Sequence, residues 1–471
     1  MMAMHIPAPT LLHRFVTSAL RLLALLILST ALTTSPVAAQ SILRDAETEA
    51  LLADMSAPLI RAAGLRPQDV RIVMIGDRSI NAFVAGGQVV YIHSGLIEAS
   101  DNANQVQGVI AHELGHVAGG HVINTSGAER ATSIALLSLL LGAVAIAAGA
   151  GEAGMGILGA GQQAALGSYL AYSRVQESTA DAAGARYLSA AGISGRGSVE
   201  FFMKLQNQEF RYNIPQDDDQ AYGRTHPLSG DRIRFLRDAY QADPAWDARS
   251  DPALEARFQR IKAKLAGFVQ EPRQTLQQFP PSDTSVPARY ARAYAWHRDA
   301  HPDRALAEVT ALLAAAPDDP YFLELEGQIL LESGQPAEAL PALRRAVAGT
   351  NQQALISALF GHALIATEDP ANYAEAEAVL RAAVARDNEN PFAWYQLGVV
   401  YSNRGDEPRA ALATAERYAL TREPGLALTS AETAMGGLSQ GTPDWLRAQD
   451  IALVARARLD EERRRGRQTR S

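Results

Sequence analysis

The 471-residue chain contains no cysteine, and that absence removes several chemistries at once: disulfide staples, thiolate metal ligands, a cysteine nucleophile and anchoring through a lipidated cysteine. Aromatic residues are scarce, at 6%. Positive charge is not in excess, because 43 Lys and Arg face 51 Asp and Glu, for a formal charge of −8. No nucleic-acid partner is expected of such a balance. What is present is ordinary for a globular protein, 47% hydrophobic and 20% charged residues over a length that suits two or three domains.

The N-terminal stretch departs from that average. Arg14 and Arg21 precede the apolar run Leu22 to Leu28, and Val37-Ala38-Ala39 places small residues before Gln40. This is the pattern of a secretory signal peptide over 1–39, with an uncleaved N-terminal anchor as the alternative. An exported protein is expected.

Chemistry concentrates at His112-Glu113-Leu114-Gly115-His116 and at Glu177-Ser178-Thr179-Ala180-Asp181. Residues four apart share a helix face, so His112 and His116 can offer two imidazole nitrogens to one zinc ion with Glu113 beside them as general base. Asn102 to Ala111 reads as a helix capped by Asp101 or Asn102, with Gly119-Gly120 as its stop. In a second helix, over Ala164 to Ala191, Glu177 and Asp181 again lie four apart. Glu177 completes a His, His, Glu ligand set for one Zn²⁺ per chain, and Asp181 is placed to accept the second ring N–H of a ligand histidine. A metal-free buried histidine pair and a solvated carboxylate face are the plain alternatives for each half alone; their coincidence favours the metal. His121 is read as a helix-end residue, because the HExxHxxGxxH pattern of metzincins needs its third histidine at position 122, which is Val122.

These residues carry a resemblance. HELGHVAGGH, the ExxAD run at Glu177, Asn81-Ala82-Phe83-Val84-Ala85-Gly86-Gly87 with the following Val89 to Leu96, and Thr225-His226-Pro227 with Arg232 resemble the CaaX-prenyl-protease and HtpX superfamily over roughly residues 70 to 240. With the signal peptide and a repeat tail, the chain is similar to the periplasmic branch of that superfamily, the beta-barrel assembly-enhancing proteases. The resemblance implies three further catalytic features. His226 would fill the fourth zinc position at rest or move to stabilise an oxyanion, Arg232 would meet a carbonyl oxygen as charge develops, and an edge strand, Asn81 to Ala85, would pair with an extended substrate. Without the resemblance, Thr225-His226-Pro227 is a turn into a helix from Ser229 to Tyr240. The resemblance also implies misassembled outer-membrane barrel proteins as substrates, the barrel-assembly machinery as partner and the periplasm as location. The rival is a chaperone or assembly scaffold whose peptidase is largely latent.

Between the half-sites, 133–151 and 153–173 are uncharged and separated only by Glu152. The second run carries five glycines, which suits a mobile flap or an interfacial helix pair touching a membrane better than a span. Phe279 to Pro287 is a turn-rich linker. Beyond it Ala293, Gly327, Gly361 and Gly398 recur at 34, 34 and 37 residues, and Trp394 to Tyr401 fits the tetratricopeptide pattern W-x₂-L-G-x₂-Y. The expected architecture is an α+β zinc metallopeptidase domain at 40–278, mostly helical with a small sheet. The linker at 279–287 then leads to an all-α tetratricopeptide solenoid at 288–462, which would bind envelope proteins, and a basic disordered tail at 463–471.

Overall fold

A computed structural model describes residues 41–121, 132–141, 151–212, 226 and 230–468. The expected signal peptide 1–39, Thr225, Pro227 and parts of the uncharged segment lie outside the described residues.

Asp45 accepts the Thr48 N–H and caps helix α1 (Ala46–Ala62), whose Leu51, Leu52, Met55 and Leu59 are buried at the helical spacing. Four strands follow the order β1-β2-β4-β3: β1 (Ser41–Leu43), β2 (Arg71–Gly76), β3 (Ala82–Ala85) and β4 (Val89–His93). β2 runs parallel to β4 with Ile72 opposite Val90, and β3 runs antiparallel with Ala82 opposite Ile92. Gly86 and Gly87, at φ 64 and 97°, make the tight return between β3 and β4, where a side chain would be strained. Among the described residues β3 therefore has a strand neighbour on one side only.

Helices α2 (Ser94–Ala99) and α3 (Ala103–Ala118) come next, and every residue of α3 from Ala103 to His116 is buried. Asn102 is its cap, accepting from the Gln105 N–H. Helix α4 (132–141) precedes α5 (Gly151–Ala190), which starts earlier than the expected Ala164 and takes in the glycine-rich run. Those glycines let helices approach. A Cβ at Gly161 would fall 1.8 Å from Ser138 Oγ of α4. Among the described residues no helix is long and apolar enough to cross a membrane. This part of the chain closes with α6 (Arg196–Tyr212), α7 (Gly230–Gln241), α8 (Pro252–Val269) and α9 (Pro272–Gln278). α1, the sheet and α3, α6, α7 and α8 share one apolar core that includes Met55, Ile92, Val109, Phe201, Leu236 and Phe258.

Ten further helices pair in succession: α10 (Val286–Arg298) with α11 (Pro302–Ala315), α12 (Pro320–Glu332) with α13 (Pro336–Gly349), α14 (Ala354–Ala366) with α15 (Tyr373–Arg386), α16 (Pro391–Asn403) with α17 (Glu407–Leu420), and α18 (Pro424–Gly437) with α19 (Pro443–Gln468). The repeat spacing has a packing cause. A Cβ at Gly327 would meet Leu343 at 2.4 Å, and one at Gly361 would meet Leu380 at 2.5 Å, so small residues recur where paired helices touch. The longer third interval holds a 3₁₀ turn, Pro370–Asn372. At the C-terminus α19 continues through Gln468, so 463–468 of the expected disordered tail are helical, with Arg463 and Arg465 reaching back to Asp460 at 3.6 Å and Glu461 at 2.5 Å.

The solenoid is not merely tethered. Buried Arg292 on α10 donates to the carbonyls of Pro280 and Asp283 at 2.9 and 2.8 Å, pinning the 279–287 segment. Tyr290 Oη donates to Glu47 of α1 at 2.9 Å, and Arg260 of α8 donates to Asp319 at 2.6 Å. Ala46 lies in the apolar cluster of the repeats.

Candidate metal centre

Two helices bring the half-sites together because each carries a glycine where they touch. A Cβ at Gly115 would lie 2.7 Å from the Ala180 carbonyl oxygen, and one at Gly184 would lie 3.1 Å from the backbone of Ala111. At that separation α3 presents His112, Glu113 and His116 to Glu177 and Asp181 of α5.

His112 Nε2 and His116 Nε2 are 3.1 Å apart. Each lies 3.4 Å from a Glu177 carboxylate oxygen. His226 joins them, with Nδ1 at 3.3 Å from His112 Nε2 and 3.2 Å from both Glu177 oxygens. Ligands about 2.0–2.1 Å from a tetrahedral zinc are about 3.3 Å from one another, so the spacing matches the ion that the motif implies. The donor set, three imidazole nitrogens and a carboxylate, suits zinc as well.

All members are buried: His112 at 2% exposure, Glu113 at 0%, Glu177 at 4%, Asp181 at 3% and His226 at 6%. Burial opposes a charge on His112, yet hydrogen bonding to Asp181 and Glu177 outweighs it and raises the ring to about 10. Burial, helped by the His112 and His226 rings, pushes His116 down to about 2, leaving it a neutral donor. Glu177 and Asp181 lose solvation on burial, but contacts from His112, with His226 for Glu177 and Arg232 for Asp181, hold Glu177 well below the usual carboxylate range and lower Asp181 as well.

Behind the ligands, Asp181 Oδ1 lies 2.9 Å from His112 Nδ1, on the ring edge away from Glu177. Arg232 of α7 grips Asp181 through Nε at 2.7 Å and Nη2 at 2.9 Å, and reaches Glu177 Oε2 at 3.1 Å. Its guanidinium is engaged with the two carboxylates that frame the site. Glu113 differs from all of these. Both of its oxygens are buried without a hydrogen-bond partner among the described residues, and burial raises its carboxyl. His226 Nε2 lies 3.5 Å from its Oε1.

One neighbour was not legible as functional from the motif. His121 Nδ1 lies 2.8 Å from His116 Nδ1, so a residue expected only at a helix end touches a ligand histidine. The signal lay in Gly119-Gly120, which turns the chain back over His116.

A buried carboxylate without a hydrogen-bond partner among the described residues, on the helix that supplies two of four converging donor atoms, defines a metallopeptidase centre. Residues 45–240 match Peptidase family M48, and this segment is an M48 metalloprotease domain. The chain is similar to the putative beta-barrel assembly-enhancing protease of Vibrio cholerae, 28% identical over 257 residues that make up 53% of this chain and 52% of that protein. It is similar to the beta-barrel assembly-enhancing protease of Yersinia pestis, 25% identical over 399 residues, 83% of this chain and 78% of that one. The metalloprotease LoiP of Escherichia coli is 32% identical over 184 residues, 38% of this chain and 65% of that one. The chain thus spans about half the length of the Vibrio relative.

Proposed function

We propose that the protein is an exported zinc-dependent endopeptidase that hydrolyses unfolded or misassembled envelope polypeptides, outer-membrane barrel proteins among them. The observation that carries the reading is the pairing of a metal-sized donor cluster with a buried Glu113 whose oxygens have no hydrogen-bond partner among the described residues. His112, His116 and Glu177 would hold one Zn²⁺. When bound, zinc would acidify the attacking water and polarise the scissile carbonyl. Glu113, with its carboxyl raised by burial, takes the proton from that water and returns it to the leaving amine. Arg232 acts through Glu177 and Asp181, holding both carboxylates in place. The edge strand β3 supplies main-chain groups to an extended substrate.

Latency has its own support. His226 Nδ1 stands at the fourth donor position, and its Nε2 lies 3.3 Å from the Ala82 carbonyl on β3. One side chain thereby occupies both the open metal position and an acceptor that a substrate strand would use. Once displaced, that imidazole is the group free to meet the oxyanion. This favours a second reading, an assembly scaffold with a largely latent peptidase, in which the repeats bind the barrel-assembly machinery or other envelope proteins; the names of the relatives supply that direction. The periplasm follows from the expected signal peptide. Leu136, Leu137, Leu139, Leu140 and Met155 are 58–63% exposed, which supports peripheral membrane contact through 133–173 and predicts co-sedimentation with lipid vesicles.

The test is complementation of a deletion strain by Glu113→Gln. Loss of the biological effect supports the peptidase reading, and full complementation supports the scaffold.

A further inference from the structure

The end of α3 is built in a way that reaches the metal centre. Gly120 sits at φ 64°, the Gly120 N–H donates to the Val117 carbonyl at 3.1 Å, and the His121 N–H donates to the His116 carbonyl at 3.1 Å. This is the paired bonding of a Schellman stop, which lays the residue after the left-handed glycine over the third residue from the helix end. An apolar contact usually fills that place. Here the two residues are His121 and the ligand His116, and their rings meet at a 4.9 Å centroid distance and 76°. Gly119 is required for the ring to fold back, since a Cβ there would lie 2.6 Å from His121 Nε2.

Hydrogen-bond accounting then fixes the protons. The Thr179 hydroxyl, on α5 two residues beyond Glu177, has one proton, and carbonyls stand within reach of it at Val175, 2.9 Å, and Gln176, 2.8 Å. Its oxygen is left to accept, and His121 Nε2 is 3.2 Å away. A neutral His121 that donates through Nε2 has a bare Nδ1, which accepts the Nδ1–H of His116 at 2.8 Å. His116 then presents the Nε2 lone pair to the metal position. Gln176 Nε2 reaches the His121 carbonyl at 3.5 Å, tying the turn to α5 a second time.

We infer that His121, oriented by Thr179, is a positioning residue for the metal ligand His116, setting its tautomer and ring plane as Asp181 does for His112. The inference rests on the zinc reading and extends it to the ring that has no carboxylate behind it. The arrangement also joins the two ligand-bearing helices, because the relay starts on α5 and ends on α3.

The test uses the full mature chain, with zinc affinity read by chelator competition and site geometry read from the visible absorption of the Co²⁺-substituted protein. His121→Phe keeps ring volume and removes the acceptor, and it should bind zinc about 10–100-fold more weakly with a shifted Co²⁺ spectrum. His121→Asn offers a carboxamide oxygen in place of Nδ1 and should recover most of the affinity. Thr179→Val, at an exposed position, should move affinity in the same direction by less, and it carries the test if His121→Phe does not fold, as judged by its metal-free melting curve. Zinc affinity in a folded His121→Phe within about threefold of wild type, with an unchanged Co²⁺ spectrum, overturns the relay. Wild-type protein that takes up no zinc instead overturns the metal reading on which the relay stands.

Discussion

Two clusters of buried charge lie in this chain, and they are finished differently. At the junction with the repeats, Glu47 receives Arg260 on one oxygen and Lys264 and Tyr290 on the other. Asp45 takes Lys264 on one oxygen and Thr48 on the other, and Asp319 takes Arg260 on one and two helix N–H groups on the other. Every oxygen of these three carboxylates has a donor. At the metal centre Glu177 and Asp181 share one guanidinium, three imidazole nitrogens and a Glu177 oxygen converge, and neither oxygen of Glu113 has a hydrogen-bond partner among the described residues. The first arrangement is complete without anything added; the second has acceptors to spare and calls for a cation. Satisfaction of the polar atoms, more than burial or charge itself, separates a structural cluster from a site.

That contrast sorts the expected effects of mutation. The largest belongs to the ligands: His116→Ala or Glu177→Ala should abolish casein cleavage and zinc uptake, while the metal-free melting temperature stays near that of metal-free wild type. Metal content and thermal unfolding of the same sample decide it. Next is Glu47→Ala, which leaves Arg260 and Lys264 buried without their common partner. Loss of one member of a buried ion cluster costs about 3–5 kcal/mol, so denaturant unfolding should show a large loss of stability with zinc stoichiometry unchanged in the folded fraction. A Glu47→Ala protein as stable as wild type would dissolve the comparison.

His226→Ala should alter the cleavage rate in either direction without removing zinc, because the remaining ligands suffice. Unchanged rates with unchanged zinc would return this histidine to a structural turn.

The smallest effect is a pH dependence at the junction. Glu324 lines a cavity of about 360 Å³ beside Lys264 and Tyr294, and burial raises its carboxyl to about 8 from a reference of 4.5. Between those values the folded chain holds a proton that the unfolded chain has released, so this residue's contribution to stability falls as pH rises from 4.5 to 8. Glu324→Gln should flatten that decline in melting temperature over the same window, and an identical pH profile in the variant would remove Glu324 as its cause.

Much of the site was legible in the chain because its chemistry is local. The four-residue spacing of His112 and His116, and of Glu177 and Asp181, requires only that each segment be helical, and both are. The solenoid was legible for a related reason, since each repeat packs mainly on its neighbours and writes its contacts into a period. What could not be read depended on distant pairings. His121 gained its contact with His116 from a backbone turn, and its partner Thr179 lies on another helix. Arg232 met Asp181 and Glu177 across separate helices. The junction cluster draws on α1, α8, α10 and α12, with no motif to announce it. The early start of α5 at Gly151 was hidden by its glycines, whose low helix propensity is overridden by the close crossing at Ser138.

The central claim, that a metal-sized donor cluster is coupled to a buried base with no hydrogen-bond partner among the described residues, is tested most directly by the casein cleavage rate of Glu113→Gln at matched zinc content. The account predicts about one zinc per chain, as in wild type, with cleavage reduced by about a thousandfold, within the range general acid–base catalysis supplies. Cleavage at the wild-type rate with equal zinc would contradict it, as would a loss of cleavage that tracks only a loss of metal.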